Sequence, residues 1–162
     1  MWQPGAVDVT TVVGLVAAAG ALAVATGAGL WWRRHTGLVR PAPAPGTGDS
    51  RTRELLTGLG VAPGMPVTLL QFSSAFCAPC RATRLTCGQV AERHDGVRHV
   101  EVDAESNLDA VRALGVWRTP TVFVIDGAGS IVARVTGQPT RTQLREAVTG
   151  LLPRSAAAGS AC

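Results

Sequence analysis

Two cysteines three positions apart, in Cys77-Ala-Pro-Cys80, have the type and spacing to do chemistry. They follow the apolar run Val67-Thr-Leu-Leu-Gln-Phe72 and a small polar turn, Ser73-Ser-Ala75. Such a run reads as a buried strand, and the residues after it read as a helix that Cys77 opens. Unpaired amides at a helix start carry partial positive charge. They favour thiolate over thiol and lower a thiol pKa from about 8.5 to near 7 or below. Cys80, one turn behind, can close a small disulfide ring and expel whatever is bound to Cys77. Pro79 fits the first turn, where its missing N–H costs little. The chemistry implied is dithiol–disulfide exchange, with the Cys77–Cys80 couple as redox centre and no separate cofactor.

The competing use of Cys-x-x-Cys is half of a structural zinc site, which needs a second ligand pair at suitable spacing. Cys87, His94, His99 and Cys162 are the candidates, and none recreates a second knuckle. Cys77, Cys80, Cys87 and His94 would also have to leave their helix to surround one ion. No metal is expected.

A second segment bears on the same chemistry: Gly115-Val-Trp-Arg-Thr119-Pro120, followed by the strand-like Thr121–Ile125. Proline cannot donate to a sheet ladder, so Pro120 marks the strand's first residue. Alone, Thr-Pro at a strand start signals a turn; at this distance from Cys-Ala-Pro-Cys it becomes specific.

With these motifs the chain resembles the thioredoxin family. Phe72, Phe76-Cys77-Ala-Pro-Cys80, Thr119-Pro120-Thr121, Asp126-Gly127 and Gly137 stand in thioredoxin order and nearly at thioredoxin spacing, over roughly Val67 to Leu152. The resemblance implies an α/β thioredoxin-like fold, a mixed central sheet flanked by helices. It implies that Pro120 is cis and packs against the cysteine pair, and that the Thr119 backbone pairs with an extended substrate peptide. Gly137 would lie on the same rim, where a side chain would obstruct the peptide. Phe76, Ala78 and Pro79 would share the substrate contact, and the partners would be protein thiols or disulfides, with an electron donor or acceptor the sequence does not name.

Four departures stand out. Phe76 replaces the usual tryptophan before the first cysteine, Ala78 the usual glycine between the cysteines, and Leu85 a proline that commonly kinks the active-site helix. Gln71 falls where a buried acid usually assists the resolving cysteine, and a glutamine cannot accept a proton from Cys80. That loss keeps an alternative of another class open: a non-catalytic or zinc-holding module on the same fold.

The elements that carry the pair begin with an apolar segment. Val9 to Leu30 holds no charged residue and, at about 1.5 Å per residue, spans a hydrocarbon core of about 30 Å. Trp31-Trp32 and Arg33-Arg34 follow as an aromatic belt and a basic anchor, and Trp2 suits the opposite interface. A cleaved signal peptide would have a basic beginning, whereas the residues before Val9 include Asp8 and no basic residue. The expectation is a single-pass helix over 9–32, flanked by residues 1–8, in a cell membrane. Arg33, Arg34, Arg40, Arg51 and Arg53 all follow the span, so the positive-inside rule places the cysteines in the cytoplasm, with an extracytoplasmic domain as the alternative.

All 15 basic side chains are arginine, and tyrosine is absent. With abundant Ala, Gly and Val this points to GC-rich coding, as in bacteria, so the pI of about 9.5 does not signal nucleic-acid binding. No basic patch interleaved with aromatics appears, and no nucleic-acid partner is expected.

Residues 33–50 read as a basic, then Pro/Gly-rich linker. The thioredoxin-like domain is expected over 51–153, opening with a short helix from Arg51 to Gly60, and with too little chain ahead of Val67 for a complete first strand. Further on come the redox helix, Cys77 to His94, and a strand Val97–Asp103. A helix capped by Ser106 and a hairpin of Thr121–Ile125 with Ser130–Thr136 precede a last helix through Leu152, opened by a Thr140-Arg-Thr-Gln143 capping box. Pro153 stops it, and 154–162 reads as a frayed tail carrying Cys162. Cys87 reads as a small buried hydrophobe, His94 and His99 as solvated surface residues, and Arg81 as a neighbour able to hold thiolate charge.

Overall fold

The computed structural model describes residues 9–35, 39–41 and 50–152, and the chain divides into two units, residues 1–35 and 36–162. The first holds helix α1 (Val9–His35), whose stretch Thr10–Trp31 is long and apolar enough to cross a membrane. The helix continues three residues past the boundary expected at Trp32, because arginine and histidine do not break a helix. The expectations for residues 1–8, 36–38, 42–49 and 153–162 lie outside the described residues.

The second unit is a mixed five-stranded sheet in the order β1-β5-β4-β2-β3. Its strands are β1 (Val39–Pro41), β2 (Val67–Ser73), β3 (Val97–Asp103), β4 (Thr121–Asp126) and β5 (Ile131–Thr136). β2 and β3 run parallel; β4 pairs antiparallel with β2 and β5, and β1 antiparallel with β5. The helices are α2 (Ser50–Gly58), α3 (Ala78–Arg93), α4 (Leu108–Ala113) and α5 (Arg141–Thr149).

The linker expected over 33–50 is therefore corrected: it contains β1. Half-buried Val39 packs on the core and aligns with Val135, and Pro41 sits on an edge strand, where a missing N–H is tolerated. The strand ahead of α2 is only three residues long and lies beside β5, so β3 forms the opposite edge of the sheet.

Every residue of β2 is buried, which fits a central strand covered on both faces. Val67 and Leu69 join Cys87 and Val90 of α3 and Leu144 and Val148 of α5 on one face. Leu70 and Phe72 join Leu56 of α2, Ala110 of α4 and Phe123 of β4 on the other. Each such side chain contributes about 1.5–3 kcal/mol on leaving water. Together they hold the end of β2 rigidly beneath the cysteines.

Helix ends follow local chemistry. α5 opens with the expected capping box: Gln143 N donates to Thr140 Oγ1, and Thr140 N to Gln143 Oε1. It ends at Thr149, with Gly150 as its C-cap, rather than at Leu152. α2 stops at Gly58, with Gly60 turning the chain at φ +93°. The expected cap at Ser106 is corrected to Asn107, because the Ser106 hydroxyl donates to Asp103 Oδ2 at 2.5 Å instead. His94, expected on the surface, is buried, with its carbonyl accepting from Val97 N at 3.1 Å. The turn requires Gly96 (φ +87°), where a Cβ would meet Pro66 Cγ at 3.1 Å.

Candidate active site

The strand β2 runs straight into the site. Cys77 is the N-cap of α3, and its Sγ accepts from Cys80 N at 3.1 Å, so the sulfur lies against the unpaired amides of the first turn. Cys77 and Cys80 form a disulfide with Cα atoms 5.2 Å apart. Ala78 and Pro79 occupy the first two helical positions. Cys80 is almost wholly buried, whereas Phe76 is fully exposed beside the pair.

Sheet pairing brings up the second segment. Phe72 aligns with Thr121 across β2 and β4, which sets the residues before Thr121 beside the loop that leaves β2. Ser74 Oγ and Thr119 Oγ1 are 3.2 Å apart, and the Thr119–Pro120 bond is cis. Gly137 N donates to Pro120 O at 2.8 Å, with Gly137 at φ +94°. Cys77, Cys80, Thr119, Pro120 and Gly137, far apart in sequence, thus belong to one end of the sheet.

The family model described as thioredoxin matches residues 61–150. The chain belongs to the thioredoxin family. Among its relatives, thioredoxin 1 of a Nostoc species is 27% identical over 79 residues, 48% of this chain and 73% of that one. Thioredoxin Asp f 28 of Aspergillus fumigatus is 24% identical over 83 residues, 51% of this chain and 76% of that one. The X-ray structure of Fasciola hepatica thioredoxin superposes with a TM-score of 0.52 at 26% identity, covering 61% of this chain and 92% of that one. The thioredoxin-like fold is thereby established, and family membership with a bonded Cys77–Cys80 pair supports thiol–disulfide redox chemistry.

Around Gln71, which stands where the family resemblance implies a buried acid, a polar network has formed. Gln71 is wholly buried; its Nε2 donates to Ser73 Oγ at 2.7 Å and to Cys80 O at 3.0 Å, and approaches Glu101 Oε1 at 3.5 Å. His99 Nε2 and Gln71 Oε1 are 3.2 Å apart. His99, expected to be solvated, is instead half-buried, because β3 pairs with β2 and turns it toward that amide. Burial lowers its pKa against the pull of Glu101.

Glu101 aligns with Gln71 across the two strands and is gripped from α3 by Arg84, with Nε 2.5 Å from Oε2 and Nη2 2.8 Å from Oε1. Burial works to raise the Glu101 pKa, but Arg84, Ser73 and His99 outweigh it and hold the carboxyl below its ordinary range. A cavity of about 440 Å³ beside the disulfide is lined by Cys77, Cys80, Arg81, Arg84, Glu101 and Asp103, among others. Glu101, Arg84 and His99 were not singled out from sequence as members of the site. Alternation along Val97–Asp103 puts 99, 101 and 103 on one side, but only strand register brings that side to Gln71.

The remaining residues divide clearly. Cys87 is fully buried and its thiol is pushed up to about 12, chiefly by burial, so it is inert, as expected of a core residue. Trp117, also not singled out, is almost fully exposed two residues before Thr119. Arg134 binds the Leu114 and Gly115 carbonyls at 3.3 and 2.5 Å and stacks 5.2 Å from the Phe123 ring centroid, which fixes the turn leading to Thr119. Among the described residues no cluster of His, Cys, Asp and Glu has the grouping to hold a metal.

Proposed function

We propose that this protein is a membrane-tethered thiol–disulfide oxidoreductase acting on protein substrates. The observation that carries the reading is Cys77 Sγ at the N-cap of α3, half-buried at the rim, with Cys80 bonded to it from one turn deeper. In the reducing direction, Cys77 thiolate attacks a substrate disulfide and one substrate thiolate leaves. Cys80 then attacks the Cys77 sulfur, the Cys77–Cys80 bond forms, and the second substrate thiolate leaves; two electrons pass from the pair to the substrate. The same steps in reverse oxidise a dithiol.

The substrate backbone docks along Thr119, Pro120 and Gly137 as a short added strand, with Phe76, Ala78, Pro79 and Trp117 supplying the apolar contact. Helix α1 serves as the tether, and the arginines that follow its apolar stretch favour a cytoplasmic domain over an extracytoplasmic one. Differential alkylation of the full chain tests the chemistry: Cys77 and Cys80 must switch together between modifiable and protected as the redox buffer changes. Independent modification would refute it. A membrane-impermeant thiol reagent on intact cells tests the placement, and labelling of Cys77 from outside reverses it.

A further inference from the structure

Exchange needs a proton acceptor for Cys80. Cys80 is buried in the disulfide form, and once reduced it must lose its thiol proton to attack Cys77. Gln71, the buried side chain that donates to the Cys80 carbonyl, is an amide with no basic group to offer. Two carboxylates line the cavity that both cysteines share, Glu101 and Asp103. Asp103 lies out in solvent, its Oδ1 accepting from Glu105 N at 3.1 Å and its Oδ2 from Ser106 Oγ at 2.5 Å. Glu101 is partly buried, aligns with Gln71 across the strands, and meets the amide that also holds the Cys80 carbonyl.

Resting on the exchange reading above, we propose that Glu101 accepts the Cys80 proton during resolution, through a water in the shared cavity. The proton leaves Cys80 Sγ for the water as that water's proton passes to a Glu101 oxygen. Cys80 sulfur bonds to Cys77 sulfur, the Cys77–substrate bond breaks, and the departing substrate thiolate is reprotonated from solvent. The cavity is roomy and polar enough for a bridging water. Gln71 acts as a positioning residue: it ties the first turn of α3 to the carboxylate by hydrogen bonds and carries no charge.

The groups facing Glu101 set its behaviour with pH. Arg84 and Arg81 approach from α3, Ser73 and Gln71 from β2, and His99 and Asp103 flank it on β3. Arg84, Ser73 and His99 hold the carboxyl below its ordinary range, so it is ionised at neutral pH and ready to accept. Its low basicity limits its effect to the lower end, about 10²-fold or less, of what a positioned base supplies.

The test uses reduced full-length chain with Cys162→Ser, mixed in detergent with excess oxidised glutathione. Wild type releases two glutathione thiols per chain; Cys80→Ser releases one and so isolates the first step. Glu101→Gln is expected to slow the second release about 10- to 100-fold while the first stays unchanged. Its second step should also rise about tenfold per pH unit, because Cys80 must now ionise to solvent, where wild type is flat. Glu101→Asp should recover most of the rate, and Arg84→Gln, which keeps the carboxylate, should retain it. A Glu101→Gln chain matching wild type in rate and pH profile overturns the assignment, as does an equal loss in Arg84→Gln. If Glu101→Gln does not fold, the wild-type profile decides: a slope of tenfold per unit refutes the proposal. A wild type that releases no glutathione overturns the exchange reading itself.

Discussion

Replacing Gln71 by aspartate restores an acid at a position with no solvent exposure, and the surroundings dictate the outcome. The wild-type amide donates to Ser73 Oγ at 2.7 Å and Cys80 O at 3.0 Å, and sits 3.5 Å from Glu101 Oε1. An aspartate is one methylene shorter, and when ionised it has no donor. The Cys80 carbonyl then loses its side-chain partner, at a cost of about 1–3 kcal/mol. Ionisation adds a second negative charge beside Glu101 in a desolvated place, so the folded-state pKa rises above the unfolded value of about 3.9.

The sign of the pH dependence follows. Between those two pKa values the unfolded chain has released the proton while the folded chain still holds it. Stability therefore falls by about 1.4 kcal/mol per pH unit across that window, and the deficit against wild type is smallest below about pH 4. Urea unfolding of oxidised full-length wild type and Gln71→Asp from about pH 4 to about pH 8 measures it. A deficit that does not change with pH would show that the introduced carboxylate is solvated or paired, and that the buried character assigned to this position is wrong. In exchange assays, Gln71→Asp is expected to accelerate resolution near neutral pH by at most about 10²-fold. A flat or lower rate would show that the existing path for the Cys80 proton already suffices.

Cys80→Ser should trap covalent substrate complexes through Cys77, whereas Cys77→Ser should trap none; equal trapping on denaturing gels would overturn the assigned roles. Phe76→Ala and Trp117→Ala, both at exposed positions, should leave unfolding free energy within about 0.5 kcal/mol while slowing reaction with protein disulfides more than with oxidised glutathione. A parallel loss toward both substrates would exclude a docking role. Cys87 should resist alkylation in the folded chain even in mildly alkaline buffer and react on unfolding, because burial holds its pKa at about 12.

Legibility from sequence tracked how local the deciding physics was. Val97–Asp103 emerged with the bounds read from its alternation, and Thr140-Arg-Thr-Gln143 formed the capping box its spacing announced. The cysteine pair was legible because strand, turn and helix start are contiguous. β1 was not: Val39-Arg-Pro41 is too short for a period, and its only reason to be a strand is the β5 edge, with Val135 opposite Val39. His99 and Glu101 were likewise invisible as site residues, since their meeting with Gln71 depends on the register of β2 against β3. Ser106 lost the cap because Asp103, three residues earlier, competes for its hydroxyl.

The Gln71–Glu101 arrangement separates two demands that one buried acid must meet together. A carboxylic acid wholly inside the protein destabilises the fold at every pH above its unfolded pKa, by an amount that grows until it ionises. A glutamine there is neutral at all pH values, and its hydrogen bonds to Ser73, Cys80 and His99 stay intact. Glu101, one strand over, keeps a partly exposed face, and Arg84, Ser73 and His99 together outweigh its desolvation. The sign of its own linkage is opposite: a depressed pKa contributes stability that is present above the unfolded value and lost only as pH falls through the folded one. Arg84→Gln should therefore narrow the stability difference between neutral and acidic solution, whereas Gln71→Asp adds a loss on the alkaline side. The two variants tilt the pH–stability curve in the same sense from different groups, so if their sites are electrostatically coupled through Glu101 the double variant will depart from additivity. Strict additivity across the pH range would mean that the amide and the ion pair act as separate units, and that the network linking α3, β2 and β3 beneath Cys80 carries no shared energy.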